Sequence, residues 1–226
     1  MSAVIPIASK AARSSSQRGQ GTRVAIEQAA LRLFSTRTPD AVTIDDIVRE
    51  ASVAKGTFYN HFTDKSVLVG SLIVAVREWV EPIIGEANAG ISDPAARLAR
   101  GMAVYARFAL DQPERALVLT LVDDGQLSAS SKLNRGLIDD LSTGLASGRF
   151  AFATVDSAVL FVSGIARALV LQMAREKQMS FAISTSQQIT AMLLRGLGVE
   201  WAEADKISAY TVNDVVRGNC TTVTGD

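Results

Sequence analysis

Five small or polar residues stand close together between positions 55 and 60, and their types suit contact with nucleic acid. They are Lys55, Gly56, Thr57, Tyr59 and Asn60. Such side chains can meet the phosphate oxygens and the base edges of a double helix. A glycine among them lets the backbone come close to a ligand. The cluster therefore predicts a short segment that reads DNA.

The residues around this cluster predict the two short helices that would position it. Thr43 is a good N-cap, and two aspartates follow it in the first turn, where they suit the helix dipole. Ser52 and Val53 make a short turn before the second helix. Apolar residues on both sides can pack the pair together: Ile47, Ala51, Val53, Phe58 and Phe62. Residues 43–62 thus read as a helix-turn-helix, although a helical hairpin in any all-α protein has the same spacing.

The rest of the chain predicts an all-α protein. Hydrophobic residues make up 48% of the sequence and aromatic ones only 6%, and turn dipeptides are few. A single apolar stripe predicts a helix that starts near Thr22. Residues 1–20 lack any hydrophobic periodicity and are interpreted as a disordered basic arm, although a transit peptide has a similar composition. We expect a DNA-binding domain over 21–66, a helical bundle over 67–200 and a C-terminal tail over 201–226. The pattern of the tail is ambiguous and allows one frayed helix followed by disorder from Gly218.

Charge and cysteine usage limit the partners and the compartment. Residues 1–65 hold nine Lys/Arg and six Asp/Glu, while the remainder holds 14 and 17. A basic N-terminal end suggests a local anionic partner. Cys220 is the only cysteine, so no disulfide can form within the chain and a reducing cytoplasm is expected. We expect no membrane span, because the richest apolar stretch, 158–173, is interrupted by Arg167.

An enzyme is not expected, and neither are catalytic residues, a metal or a cofactor. The chain has one histidine and one cysteine, no phosphate-cradling loop of the Walker type and no Gly-x-Ser-x-Gly elbow. Asp139 and Asp140 are adjacent and would diverge on a helix, so we interpret them as solvated.

The segment Thr43–Leu68, TIDDIVREASVAKGTFYNHFTDKSVL, together with the helix before it, resembles the TetR family of transcriptional regulators. The pattern from Phe58 to Phe62 and the lysine at Lys65 carry most of the resemblance. Members more often have glycine where this chain has Ser52. The resemblance implies an N-terminal three-helix DNA-binding domain followed by a helical domain for ligand binding and dimerisation.

The resemblance also implies individual roles at the DNA. Thr43 would cap its helix and hold a phosphate, and Tyr59 and Lys65 would contact phosphates. The residues expected to reach bases are Lys55, Thr57 and Asn60, with Gly56 allowing close approach. Arm residues would reach phosphates or the minor groove: Lys10, Arg13, Arg18 and Arg23.

The helices that follow would hold a small-molecule effector. A nearly all-apolar helix over residues 101–110 suits a bundle interior, and Met and aromatic side chains there suit either an apolar pocket or ordinary core. The pocket candidates are Trp79, Met102, Tyr105, Phe108 and Met173. Arg107 could recognise an anionic group, but Arg97 and Arg100 share its stripe, which favours a solvated face.

The last long helices carry more apolar surface than one core requires, which is typical of a subunit interface. The dimerisation candidates are Phe161, Ile165, Leu169, Ile189, Met192 and Leu193. The expected function is a cytoplasmic repressor that binds a pseudo-palindromic DNA operator as a homodimer and is released by a small hydrophobic effector. An interaction protein that has lost its ligand or operator is the alternative.

Overall fold

The computed structural model describes residues 10–121, 134–176 and 178–218, with side chains from residue 19 onward. Within those ranges the chain forms ten α-helices and no strand, which confirms the all-α prediction. The helices are α1 Lys10–Thr36, α2 Ile44–Glu50, α3 Lys55–Tyr59, α4 Lys65–Ala87, α5 Pro94–Asp111, α6 Pro113–Val118, α7 Arg135–Ala146, α8 Val155–Met173, α9 Met179–Gly196 and α10 Trp201–Val216. Short 3-10 helices cover Pro39–Ala41 and Leu119–Leu121.

The chain divides into two compact units near Val69. The first unit packs α1 against α2 and α2 against α3. Its core is formed by the residues that the apolar stripes predict: Ile26, Ala29, Ala30, Phe34, Ile47, Val48, Phe58 and Phe62. The helix α1 begins at Lys10, earlier than the predicted start near Thr22. The apolar stripe begins only at Ile26, so the sequence pattern gave no sign of the preceding turns.

The second unit is a helical bundle around α5. That helix packs against α6, α7, α8, α9 and α10, which explains why it is apolar almost all round. Asp93 caps it by accepting a hydrogen bond from the backbone N–H of Ala95, and Pro94 occupies the first helical position.

The segment after residue 200 contains a well-packed helix where the sequence allowed at most a frayed one. Residues 201–216 form α10, which packs on α5 and α9 and buries Val212, Val215 and Val216. The pattern is hard to see in the sequence because several of the helix's other buried positions are small or polar, such as Ser208 and Thr211. Residues from 219 onward lie outside the described part of the chain.

Among the described residues, α8 is long and apolar enough to cross a membrane by length and composition, with a mean hydropathy of 1.5. That finding departs from the prediction that no stretch of the chain would qualify, because Arg167 alone does not lower the average enough. Some of the apolar side chains of α8 pack inside the bundle, where Val159, Leu169 and Met173 are fully buried. The rest faces outward at Leu160 and Phe161.

Candidate nucleic-acid interface and ligand cavity

The start of α2 is fixed by a reciprocal cap between Thr43 and Asp46. The Thr43 hydroxyl accepts a hydrogen bond from the Asp46 N–H (3.1 Å), and the Thr43 N–H donates to Asp46 Oδ2 (3.0 Å). The N–H and the hydroxyl of Thr43, which both donate to Asp46 Oδ2, lower the pKa of Asp46 to about 2, and Arg37 adds a smaller effect. The predicted capping role of Thr43 is therefore present in the structure, while its phosphate contact stays a prediction.

The turn between α2 and α3 depends on Ser52, which adopts a left-handed backbone conformation with φ of 57°. Among the described non-glycine residues it alone has a positive φ. This is the position at which the resembling family more often has glycine, and the geometry supplies the reason, because glycine reaches that conformation without steric cost.

The short helix α3 is held in place by one buried aromatic side chain. Phe58 is fully buried, and its ring centroid lies 5.7 Å from that of Phe62. The guanidinium of Arg23 lies over the ring of Phe62, 4.8 Å from its centroid. Arg23 also pairs with Glu27, so it belongs to the first unit's packing and not to a free arm. The side chains of Lys10, Arg13 and Arg18 lie outside the described residues.

The opposite face of α3 presents the predicted DNA-reading residues. Tyr59 is half exposed, Asn60 and Lys55 are exposed, and Thr57 is partly exposed. A Cβ added to Gly56 would meet no atom within 4 Å, so packing inside the protein does not demand glycine there. Lys55 Nζ pairs with Asp45 Oδ1 at 2.8 Å, a contact that the sequence reasoning missed. The side chains of the cluster are thus all at least partly accessible to solvent.

Lys65 has a structural role that the sequence did not indicate. Its Nζ donates hydrogen bonds to the carbonyl of Pro39 and to that of Val42 (2.8 Å). These carbonyls belong to the segment that leads into α2, and the lysine is partly buried. Two of the three Nζ protons are therefore used within the first unit, which leaves one for the predicted phosphate contact.

The second unit contains a cavity of about 320 Å³. It lies between α4, α5, α7 and α8, and much of its wall is apolar: Ile84, Leu98, Met102, Leu119, Leu137, Val162 and Val170. Its size is at the lower end of known small-molecule sites. Tyr105 lines it and keeps some accessible surface, although burial raises the pKa of that phenol to about 12.

Two of the five predicted pocket residues line this cavity, namely Met102 and Tyr105. Phe108 and Met173 are fully buried elsewhere, and Trp79 packs on Phe108 with ring centroids 5.1 Å apart. Because α5 is surrounded by other helices, its apolar residues divide between the cavity and the solid core. The sequence pattern does not separate these two groups.

The cavity wall also holds ion pairs where a solvated face was expected. Arg97 pairs with Asp140, whose pKa is raised by burial, and both residues line the cavity. Arg100 pairs with Asp214, and Arg107 with Asp111 and the Val216 carbonyl. The interpretation of a solvated face was wrong because α10 and α7 cover this side of α5.

A further pair of cavity residues lies on α4. Arg77 donates to Glu81 Oε1 (3.1 Å) and to Asn134 Oδ1 (3.1 Å), and the Tyr105 hydroxyl lies 3.4 Å from the same Glu81 oxygen. Sequence reasoning missed these residues because they are charged residues on a largely apolar helix, which usually signals a solvent-facing side. No group of three or more potential metal ligands occurs among the described residues.

The predicted dimerisation residues fall into three groups in a single chain. Phe161 and Met192 are 39% and 65% exposed, Ile165 and Ile189 are half-buried, and Leu169 and Leu193 are fully buried in the chain's own core. Leu160 and Phe181 add exposed apolar surface on the same two helices. An uncovered apolar surface therefore exists on α8 and α9, but two of the six candidates lie beneath it.

The family comparisons cover most of the chain. Residues 26–72 match the model "Bacterial regulatory proteins, tetR family", and residues 93–210 match "Tetracyclin repressor-like, C-terminal domain". The regulator AcrR of Shigella flexneri is 39% identical over 75 residues, 33% of each chain. The regulator EthR of Mycolicibacterium smegmatis is 28% identical over 101 residues, 41% of this chain and 43% of its own length. These matches span less than half of either relative.

A solved structure extends the likeness over nearly the whole molecule. The structure of RolR in complex with resorcinol is 25% identical, with a TM-score of 0.57 over 86% of this chain and 96% of RolR. The two family models cover the helix-turn-helix at 43–62 and most of the helices of the second unit. This chain belongs to the TetR family of bacterial transcriptional regulators.

Proposed function

We propose that this regulator binds a pseudo-palindromic operator as a cytoplasmic homodimer, represses transcription, and is released when a small molecule occupies the cavity of the second unit. It would act without catalysing a reaction. The observation that carries the proposal is the arrangement of α3, where buried Phe58 anchors the helix and the polar residues from Lys55 to Asn60 face outward. A helix presented in this way suits the major groove.

The DNA-binding part can be tested with duplexes selected from a random pool. Log affinity should fall with log salt by about 0.9 for each phosphate neutralised. Tyr59→Phe should weaken binding to all sequences by similar factors, because a phosphate contact carries no sequence information. Asn60→Ala should instead relax preference at one or two base pairs, each worth roughly 1–3 kcal/mol. Tyr210→Phe, at an exposed position of α10, is the matched control and should change neither property.

The opposite assignment has a distinct signature. If Tyr59→Phe changed sequence preference while Asn60→Ala left it intact, the roles of these two residues would be reversed. A salt slope near zero would exclude phosphate contacts by this surface altogether.

The exposed apolar faces of α8 and α9 support a dimer. Phe161 lies over Gly196, where an added Cβ would come within 2.6 Å of the Phe161 ring, so the two helices meet closely and form one surface. Met192→Glu would place a charge on that surface and should shift the sedimentation of the protein toward the monomer. Leu145→Glu, on a partly exposed apolar position of α7, should not. A Met192→Glu variant that sedimented like the native protein would remove this surface from the interface.

The cavity supports the ligand-responsive part of the proposal. Four residues of α4 line it, namely Arg77, Glu81, Ile84 and Gly85, and the same helix begins at Lys65 beside the DNA-binding residues in sequence. A ligand that preferred a shifted α4 would weaken operator binding, with a coupling of about 1–3 kcal/mol in systems of this kind. RolR, which is similar over 86% of this chain, has been solved with resorcinol bound.

Reciprocity provides the test of this coupling. Operator DNA must weaken ligand binding by the same factor by which the ligand weakens operator binding. Ligand affinity is measured with and without operator by the fluorescence of Trp79 in a Trp201→Phe background. Equal affinities would exclude allosteric release, and the protein would then resemble an interaction protein that keeps the fold but lacks a sensor.

A further inference from the structure

The cations of the first unit are engaged within that unit. Between residues 19 and 69, where the structure describes side chains, the chain has six Lys/Arg and six Asp/Glu. Each of these cations has an acceptor nearby: Arg23 with Glu27, Arg32 with Glu50, Arg37 and Arg49 with Asp46, Lys55 with Asp45, and Lys65 with two backbone carbonyls. The charge of this part of the unit is balanced, so it attracts the phosphates of DNA only weakly.

The ion pair between Lys55 and Asp45 differs from the others because Lys55 is one of the predicted DNA-reading residues. Lys55 Nζ lies 2.8 Å from Asp45 Oδ1, and the two side chains are 53% and 59% exposed. The hydrogen bond to Asp45 also raises the pKa of Lys55. An ion pair this exposed is weak and exchanges readily for another acceptor. Asp45 therefore competes with DNA for the lysine without holding it permanently.

Asp45 and Asp46 are neighbours in the first turn of α2, but the structure gives them different partners. Asp46 completes the cap with Thr43 and pairs with two arginines. Asp45 takes no part in that cap, and its partner is Lys55 on the next helix. A carboxylate near a helix N-terminus is favourable in either position, but that effect does not require the pairing with Lys55. The pairing therefore bears on the DNA-binding surface.

Contacts to phosphates and contacts to bases respond differently to this carboxylate. A cation that neutralises a phosphate releases a counterion, which strengthens binding to every sequence. A lysine that is already neutralised by a carboxylate brings no such gain. The O6 and N7 atoms of a guanine offer a lysine hydrogen bonds that replace the one to the carboxylate. Asp45 therefore weakens a phosphate contact of Lys55 more than it weakens a base contact.

We propose that Asp45 is a specificity-determining residue, which holds Lys55 away from the phosphates of non-operator DNA and yields it to a base edge of the operator. It acts through Lys55 and is therefore a positioning residue. This inference rests on the proposed DNA-reading role of Lys55. It adds to that role a carboxylate that lowers non-specific binding.

The test compares Asp45→Asn with the native full-length protein on two duplexes, one selected from the random pool and a scrambled duplex of the same length and composition. Once released, Lys55 can neutralise one phosphate for each DNA-binding unit, so the salt slope on the scrambled duplex should steepen by about 0.9 per unit. A contact of that kind strengthens binding about fivefold at about 0.15 M salt. The affinity for the selected duplex should rise less, so the ratio of the two affinities should fall about threefold or more.

Three further proteins separate the release of Lys55 from other effects. Asp45→Glu keeps the carboxylate and should retain the native slope. Glu50→Gln removes one negative charge from the same helix and releases Arg32 instead, so it should change the slope by less than half as much. Asp45→Asn in a Lys55→Met background should leave the slope at the value of Lys55→Met alone, because no lysine is released.

Two results would overturn the inference. The cap of α2 is intact in Asp45→Asn, so the variant should fold, and an unchanged slope on the scrambled duplex would mean that Asp45 does not restrain Lys55. An equal change in Glu50→Gln, or in the Lys55→Met background, would assign the effect to net charge.

The same measurements separate this inference from the function on which it rests. A native protein that bound the selected and scrambled duplexes equally would refute the proposed operator binding, and with it the base contact of Lys55. A native protein that preferred the selected duplex, and kept that preference undiminished in Asp45→Asn, would retain the proposed function and refute the role of Asp45.

Discussion

A substitution at Lys65 can distinguish a structural role of this lysine from a DNA contact, because the two roles predict different results. Its Nζ donates to the carbonyls of Pro39 and Val42, and it sits at the start of α4 in a partly buried position. Lys65→Met keeps the apolar stem and removes the donors. Hydrogen bonds to charged groups contribute about 1.5–3 kcal/mol each, and partial burial places these two near the low end. We expect the first unit to lose about 2–3 kcal/mol of stability.

Two measurements on the Lys65→Met protein distinguish the structural role from the DNA contact. Hydrogen exchange of the backbone amides from 40 to 62 reports the local stability, and operator affinity at several salt concentrations reports phosphate contacts. The structural role predicts lower protection with a salt slope close to that of the native protein. The control is Lys55→Met, which removes an exposed lysine of α3 and should leave the protection of these amides unchanged.

One result would refute this reasoning about Lys65. Unchanged protection together with a slope lowered by about 0.9 would mean that the lysine serves the DNA and that its bonds to the two carbonyls contribute little. Lower protection with a lower slope would assign it both roles, in which case the third Nζ proton reaches a phosphate.

Three further predictions follow from particular residues. Ser52→Gly should raise the free energy of unfolding by about 0.5–1 kcal/mol, because glycine relieves the strain of a φ of 57° but loses more entropy on folding; a decrease in denaturant titration would contradict this. Bonds with Thr43 lower the pKa of Asp46 to about 2, so the stability that its ionised carboxylate contributes is complete above about pH 5 and is lost as the pH falls through about 2. Asp46→Asn should abolish that part of the pH dependence in acid unfolding, and an identical acid transition would count against it. Phe108→Ala should lower the free energy of unfolding by about 3–5 kcal/mol, because the ring is fully buried against Trp79 and does not line the cavity. A loss below about 1 kcal/mol would mean that Phe108 does not lie in the solid core.

The sequence by itself determined the helix-turn-helix and its family. The elements of residues 43–62 are local: Thr43 caps α2 within three residues, Phe58 and Phe62 lie one helical turn apart, and the polar cluster falls on the other face of α3. Interactions between residues so close along the chain follow from helical periodicity, which can be read from one sequence. The position of Ser52 could likewise be marked as unusual, although only the backbone angle explained it.

The tertiary structure decided the roles that depend on contacts between distant parts of the chain. Lys65 is bonded to carbonyls more than twenty positions earlier, and Arg97 is paired with Asp140 on another helix. Apolar residues of α5 divide between solid core and cavity according to which helices surround them, so Met102 and Phe108 look alike in the sequence and differ in the fold. Helical periodicity tells which face of a helix is buried, but it does not tell what lies against that face or whether the space there is filled.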